Sequence, residues 1–321
     1  MGARGIGHIA YLCGIAPPDV AVVLNVGHAH VGEFGGQEAI AQAKGELVES
    51  LPASGWAVLN AADPLVWAMR SRTAAQVLAF AVVEADGPVP DGSCVWADQL
   101  ASDGAGRYAF RLQARDAPGR VTSARVQLAG VGRHQVANAT AAAAAAVALG
   151  LEIDGIAAAL SAATARSRWR MELHETTGGS LVVNDAYNAN PDSMRAAVAT
   201  AVELGRLRSG RVIAVLGDML ELGPEAEPEH VGLGELVARS GVHRLVALGE
   251  FAPLLVAAAR AAGLADSAVV ADQEAAFQRV VEDLAPDDVV LVKASRGLAL
   301  DTVADQIVAH PRPAKRSEDP A

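Results

Sequence analysis

Three features of the chain predict an α/β protein built on mostly parallel sheets. Short β-branched runs alternate with longer helical stretches. The polar clusters follow the carboxyl ends of those runs, where open parallel sheets bind ligands. Aromatic residues make up 4% of the chain against 51% hydrophobic residues, so the core must be built largely from Ala, Val and Leu. With 321 residues the chain is expected to form two domains. A net charge of −11 argues against binding nucleic acid through its phosphates. No apolar run approaches the roughly 20 residues that span a bilayer. The first residues hold no signal-peptide core, and Ile6 stands where a myristoylation signal needs Ser or Thr. Cys13 and Cys94 make neither a disulfide framework nor a metal knuckle. These features together predict a soluble cytoplasmic protein that does not insert into membranes.

The elements follow in order. Residues 19–26 read as a buried strand, 37–51 as a helix closed by Pro52, and 56–60 as a second strand before a short helix from Asp63. Between residues 76 and 128 the pattern changes. Short alternating segments at 94–98, 108–113 and 123–128 lie between Gly, Pro and Asp turns, which predicts a small antiparallel sheet appended to the first domain. Helices are expected at 134–149 and 153–162. The Arg- and Ser-rich stretch 164–170 marks the boundary between a domain of residues 1–164 and one of residues 165–310. In the second domain, strands are expected at 180–184, 211–216, 244–248 and 287–292. Helices start at Pro191, Pro228, Ala252 and Gln273 and after Gly297, which makes a doubly wound sheet. The tail 311–321 has the composition of a disordered segment.

Three polar clusters follow strands of the second domain. In the first, Asn190 as N-cap and Pro191 at the first helical position account for the local residues, but capping does not account for Asp185, Tyr187 and Asn188 upstream. The second is residues 217–223 (GDMLELG). The third contains Lys293, one of three lysines with Lys44 and Lys315. With Arg296 it makes a local positive site suited to a carboxylate or phosphate.

In the first domain, Lys44 falls within the apolar stripe of Ile40, Ala43, Leu47 and Leu51. It is either a snorkelling lysine with a packed stem or a neutral amine open to chemistry such as carbamylation. His28 and His30, two apart after a strand, could form a metal or phosphate pocket with Lys44 and Asn25. No lysine follows a glycine, so a Gly-Lys phosphate loop is absent from the sequence. The glycines at 2–7 and 130–132 miss the dinucleotide spacing, which disfavours a nicotinamide-dependent oxidoreductase.

Six segments taken in order resemble the Mur ligases: 25–34 (NVGHAHVGEF), 41–47 (AQAKGEL), 132–140 (GRHQVANAT), 184–194 (NDAYNANPDSM), 217–223 (GDMLELG) and 292–297 (VKASRG). The resemblance implies a truncated Mur ligase central domain, a mostly parallel sheet plus a small antiparallel one, followed by a Rossmann-like C-terminal domain. It implies an ATP-dependent amide ligase acting through an acyl phosphate. The 185–191 run points to the member that joins D-alanyl-D-alanine to UDP-N-acetylmuramoyl-tripeptide in peptidoglycan synthesis, as a monomer.

By the same resemblance, Lys44 is the carbamylated lysine that helps hold a Mg2+ ion, and His30 is its neighbour at the metal. Asn138 lies on the adenine side of ATP, and Arg170 and Asp185 are contacts to the nucleotide, with Lys44, His30 and Arg170 serving the catalytic step. Asn188, Asn190, Lys293, Ser295 and Arg296 hold the amino acceptor and tripeptide. Gln135 departs from the family's usual Asn. Family members also begin with a uridine-nucleotide domain, a Gly-Lys-Thr loop and an acidic residue before Met-Gly-Ala, whereas this sequence starts at that Met. The expectation is a start assigned inside a longer gene and a chain with negligible ligase activity alone. The alternative is a non-catalytic remnant that binds nucleotide or dipeptide, or that pairs with a separate N-terminal chain.

Overall fold

The computed structural model describes residues 5–27, 36–85, 87–164 and 167–310. The chain divides into two compact units, Met1–Arg166 with Glu221–Glu225 and Ser167–Leu220 with Ala226–Ala321. His28, His30 and the tail 311–321 lie outside the described residues. Among the described residues, no helix is long and apolar enough to cross a membrane.

The first unit opens with α1 (His8–Ile15), β1 (Val20–Val23), α2 (Gln37–Glu49), β2 (Trp56–Asn60) and α3 (Pro64–Ala68). Helix α3 starts where the sequence predicts, because the Asp63 carboxylate accepts the Leu65 and Val66 amides and Pro64 occupies the first turn. Helix α1 was not anticipated. Its amino end is held from a distance by Glu46, whose carboxylate accepts the Gly7 amide at 2.5 Å and the Ala10 amide at 3.0 Å. Strands β3 (Gln76–Val82), β4 (Cys94–Ser102), β5 (Arg107–Arg115) and β6 (Val121–Val131) follow, then α4 (His134–Ala148) and α5 (Ile153–Ala162).

These strands form one sheet in the order β1-β2-β3-β4-β5-β6, parallel through β4 and antiparallel beyond it. The antiparallel strands therefore extend the parallel sheet rather than forming a sheet apart. Strand β3 escaped the sequence reading because only Val77 and Val82 in it are β-branched, and because it is buried on both faces. Leu78 and Phe80 enter the core shared with α4 and α5, while Ala79 and Ala81 enter the core on the opposite face, so no polar alternation marks it. Where β4 meets β5, Asp98 accepts from Trp96 Nε1 (3.1 Å), Arg111 Nε (2.8 Å), Arg111 Nη2 (3.0 Å) and Gln113 Nε2 (2.5 Å). Burial raises the Asp98 pKa, but these hydrogen bonds outweigh it and hold the carboxyl below its ordinary value.

The second unit comprises β7 (Glu172–Glu175), β8 (Leu181–Asn184), α6 (Pro191–Arg208), β9 (Val212–Gly217), α7 (Ala226–Arg239), β10 (Arg244–Leu248), α8 (Ala252–Ala261), β11 (Ser267–Val269), α9 (Gln273–Val281), β12 (Val289–Lys293) and α10 (Asp301–Ala309). The sheet order is β11-β10-β9-β12-β8-β7, parallel except for β7. The edge strands β7 and β11 were not anticipated, being short and, in β7, polar. Ala276, Val280, Val303, Ala304 and Ile307 of α9 and α10 pack against Val182, Ile213, Val215, Val246 and Val290 on one face. Helix α6 packs on β9 and β12, and α8 packs on β10 and β11. The buried alternate residues Val183, Ala214, Leu245 and Leu291 face the other way, so the sheet is doubly wound, as the sequence predicts.

At the amino edge of this sheet, Asp283 receives Arg244 Nη1 at 2.5 Å and Arg211 Nη1 at 2.9 Å. The hydrogen bonds from Arg244 and then Arg211 hold its carboxyl far below the ordinary carboxylate range.

Candidate functional site

Strands β8, β12 and β9 are neighbours and parallel, so the loops after them emerge side by side at the carboxyl edge. Those loops are the three polar clusters of the second domain. Their backbone and side-chain bonds make them one body.

Lys293, at the end of β12, is 2% exposed. Its Nζ donates to Asp185 Oδ2 at 2.6 Å and to the Asn188 carbonyl at 2.8 Å. Burial lowers its pKa, and Arg170 adds a like charge, while the Asp185 carboxylate pulls in the opposite direction. The other oxygen of Asp185 accepts the Met171 amide at 3.0 Å. Ser295 is 4% exposed. Its hydroxyl accepts the Leu220 amide at 2.9 Å, and its own amide donates to the Asp218 carbonyl at 3.0 Å. The loop after β12 therefore ties down both of its neighbours.

The loop after β9 is also held from behind. The Asp218 carboxylate accepts the Glu250 and Phe251 amides at 2.8 and 3.1 Å. Gly249 makes room for it: φ is 124° there, and a Cβ would stand 2.4 Å from that carboxylate. His230 is fully buried, stacks on Phe251 and accepts the Met219 amide through Nε2 at 3.0 Å. Its Nδ1 lies 2.6 Å from the Ala226 carbonyl, which defines the Nδ1–H tautomer.

Asn190 caps α6 in a reciprocal box with Ser193, so its side chain is occupied in the N-cap role that the sequence predicts. Asn188 is exposed, and its side chain bonds the Ala189 amide. Above this floor lie cations and aromatic rings. The Arg170 guanidinium sits 4.1 Å over the Tyr187 ring, and Arg296 sits 4.1 Å over the Trp169 ring. The structure thus gathers Arg170, Asp185, Asn188, Asn190, Lys293, Ser295 and Arg296 in one place.

Two residues assigned to the first domain are also described. Lys44 on α2 is half-buried, and its Nζ donates to the Asn25 carbonyl at 2.7 Å. Asn138 on the first turns of α4 is exposed, with Gln135 Oε1 3.4 Å from its amide nitrogen. Among the described residues no group of three or more His, Cys, Asp or Glu side chains could hold a metal ion.

Sequence reasoning missed Trp169, Asp301 and His230. A tryptophan inside the Arg-rich boundary stretch was the available signal for the first. The other two sit on helices with nothing local to mark them.

The chain belongs to the Mur ligase family. The Mur ligase middle domain matches residues 1–146, and the glutamate ligase domain of Mur ligases matches residues 169–296. Within the family it is similar to the UDP-N-acetylmuramoyl-tripeptide--D-alanyl-D-alanine ligase of Mycobacterium tuberculosis (strain CDC 1551 / Oshkosh). The two are 44% identical over 96% of this chain and 62% of that protein. The chain thus spans less than two thirds of the length of that relative. A crystal structure of MurF from Acinetobacter baumannii matches with a TM-score of 0.80 at 28% identity, over 97% of this chain and 64% of that one. A MurF ligase from Thermotoga maritima in complex with ADP matches with a TM-score of 0.76 at 27% identity, over 96% and 65%.

Proposed function

We propose that this chain supplies the central and C-terminal domains, residues 1–164 and 165–310, of an ATP-dependent ligase joining D-alanyl-D-alanine to UDP-N-acetylmuramoyl-tripeptide in the cytoplasm. The observation that carries the reading is the single body formed by the loops after β8, β9 and β12. They bear the motif residues and stand in a chain that is 44% identical to a ligase named for that reaction. The ADP complex of the Thermotoga maritima relative supports a nucleotide as one substrate.

The chemistry is an activation followed by a displacement. A carboxylate is a poor electrophile at neutral pH. Transfer of the γ-phosphoryl group of ATP to the terminal carboxylate of the tripeptide makes an acyl phosphate, with ADP leaving. The free amine of the dipeptide then attacks that carbonyl, the amide bond forms, and inorganic phosphate departs with the bonding pair. In this reading Arg170 meets the nucleotide, and Arg296 meets an oxyanion of the acceptor. Asp185, Lys293, Ser295 and Asn190 hold the loops that carry these contacts. The described residues do not form a magnesium site on their own. Lys44 presents an amine that donates to a carbonyl, and only as a carbamate would it offer oxygens.

The test is a chimera in which this chain replaces the matching segment of the Mycobacterium tuberculosis relative. Formation of the pentapeptide product, dependent on ATP and both substrates, supports the reading. A folded chimera that makes no product overturns it. In that chimera Lys44→Ala is expected to abolish turnover, and a wild-type rate removes Lys44 from the reacting centre.

A further inference from the structure

We propose that Trp169 is a positioning residue. With Asp301 it presents the open edge of the Arg296 guanidinium to the C-terminal carboxylate of the acceptor dipeptide. This rests on the ligase reading above and adds to it the element that orients the acceptor.

Elimination leads to Arg296. Of the polar side chains in its motif, Lys293 is spent on Asp185 and the Asn188 carbonyl, and the Ser295 hydroxyl is spent on the Leu220 amide. Arg296 uses Nη1 on Asp301 and is half-exposed, which leaves Nε and Nη2 as a parallel pair of donors. That edge matches a planar carboxylate in two-point contact. Asp301 is itself 8% exposed at the start of α10, so the anchored edge does not swing.

The indole then fixes the plane of the guanidinium. The Arg296 Cζ lies 4.1 Å from the Trp169 ring centroid, and the Arg168 Cζ lies 5.0 Å from it. Trp169 is only half-buried, so core filling does not account for it. Its Nε1 is buried without a hydrogen-bond partner, so no polar contact of the ring sets its place. The backbone there is strained, with φ at 59° for Trp169 and 53° for Met171. The strap is nonetheless fastened to the motif loop, the Tyr187 amide donating to the Trp169 carbonyl at 3.1 Å and the Met171 amide donating to Asp185. An indole held in a strained backbone, with an orphan N–H and a cation on its face, is placed for its faces.

The test follows the Arg296 Nε–H resonance, assigned by its loss in Arg296→Lys, in the full chain titrated with D-alanyl-D-alanine, its C-terminal amide and ADP. The dipeptide is expected to shift the resonance and its amide is not. Trp169→Leu and Asp301→Asn are each expected to weaken dipeptide binding about tenfold, while Trp169→Phe, which keeps a ring face, stays within about threefold. An unmoved resonance with every probe, equal binding of the amide, a response to ADP alone, or wild-type affinity in a folded Trp169→Leu protein would each overturn the proposal. The response to ADP alone would assign the edge to a nucleotide phosphate instead. Binding needs no turnover, so an inactive chimera that still shows the dipeptide-specific shift sinks the ligase reading and not this one.

Discussion

The Lys293 ammonium stands 2.6 Å from the Asp185 carboxylate, with the two side chains 3% and 12% exposed. Burial costs both ions their hydration, and that cost is recovered only through their mutual attraction and the hydrogen bonds around them. Lys293 has the Asn188 carbonyl, and Asp185 has the Met171 amide. Each partner is therefore needed to make the other tolerable, and together they join β12 to the loop after β8.

Removing one partner leaves the other charged and alone. Lys293→Met is expected to lower unfolding stability by about 3 kcal/mol, read from the urea midpoint. The double variant Asp185→Leu/Lys293→Met is expected to recover most of that loss. A single variant as stable as the parent would show that the pair is not a strut.

Ser295 ties down the neighbouring loop through the Leu220 amide. In Ser295→Ala that part-buried amide loses its acceptor, at a cost of about 1 kcal/mol. Hydrogen exchange should show it locally, with the Leu220 amide exchanging about tenfold faster. Unchanged protection at Leu220 would mean that another acceptor takes over.

In the first unit, the carboxylate of Asp98 gathers donors from Trp96, Arg111 and Gln113. Asp98→Asn keeps the shape but turns one acceptor oxygen into a donor facing donors. A loss of about 2 kcal/mol is expected, confined to the transition of the first unit. Calorimetry that resolves the two units would read it.

Acid should act on the second unit through Asp283. Its folded pKa is depressed from the ordinary value of 3.8, so its stabilisation is present above that value and is withdrawn as pH falls below it toward the folded value. Asp283→Asn is expected to flatten the acid limb of stability below pH 3.8. Because the side chain is 47% exposed, added salt should shrink the difference. An acid limb identical in the variant would assign the acid sensitivity to other carboxylates.

Much of the architecture was legible along the chain because its causes are local. The Asp63–Pro64 and Asn190–Pro191 pairs announce helix starts through caps that reach only two or three residues. The β-branched runs announce buried strands, and the polar clusters at their ends announce where chemistry gathers. The order of the motifs announced the family. Strand β3 was hidden because its centre, Leu78-Ala79-Phe80-Ala81, carries no β-branched residue, and its two-sided burial leaves no alternation to mark it. Helix α1 was hidden because Glu46, its anchor, lies 36 residues beyond the Ala10 amide it holds.

Local patterns along the chain settle the class of fold, the family and the stretches that carry polar residues. Which of those residues face each other follows from the folding of distant segments onto one another. Lys293 and Asp185 are 108 positions apart and meet because β12 inserts between β9 and β8. That strand order rests on pairings between segments far apart in the chain, so no short window of sequence encodes it. The same holds for Trp169 and Arg296, which become partners only once the strap before β7 folds back over the end of β12.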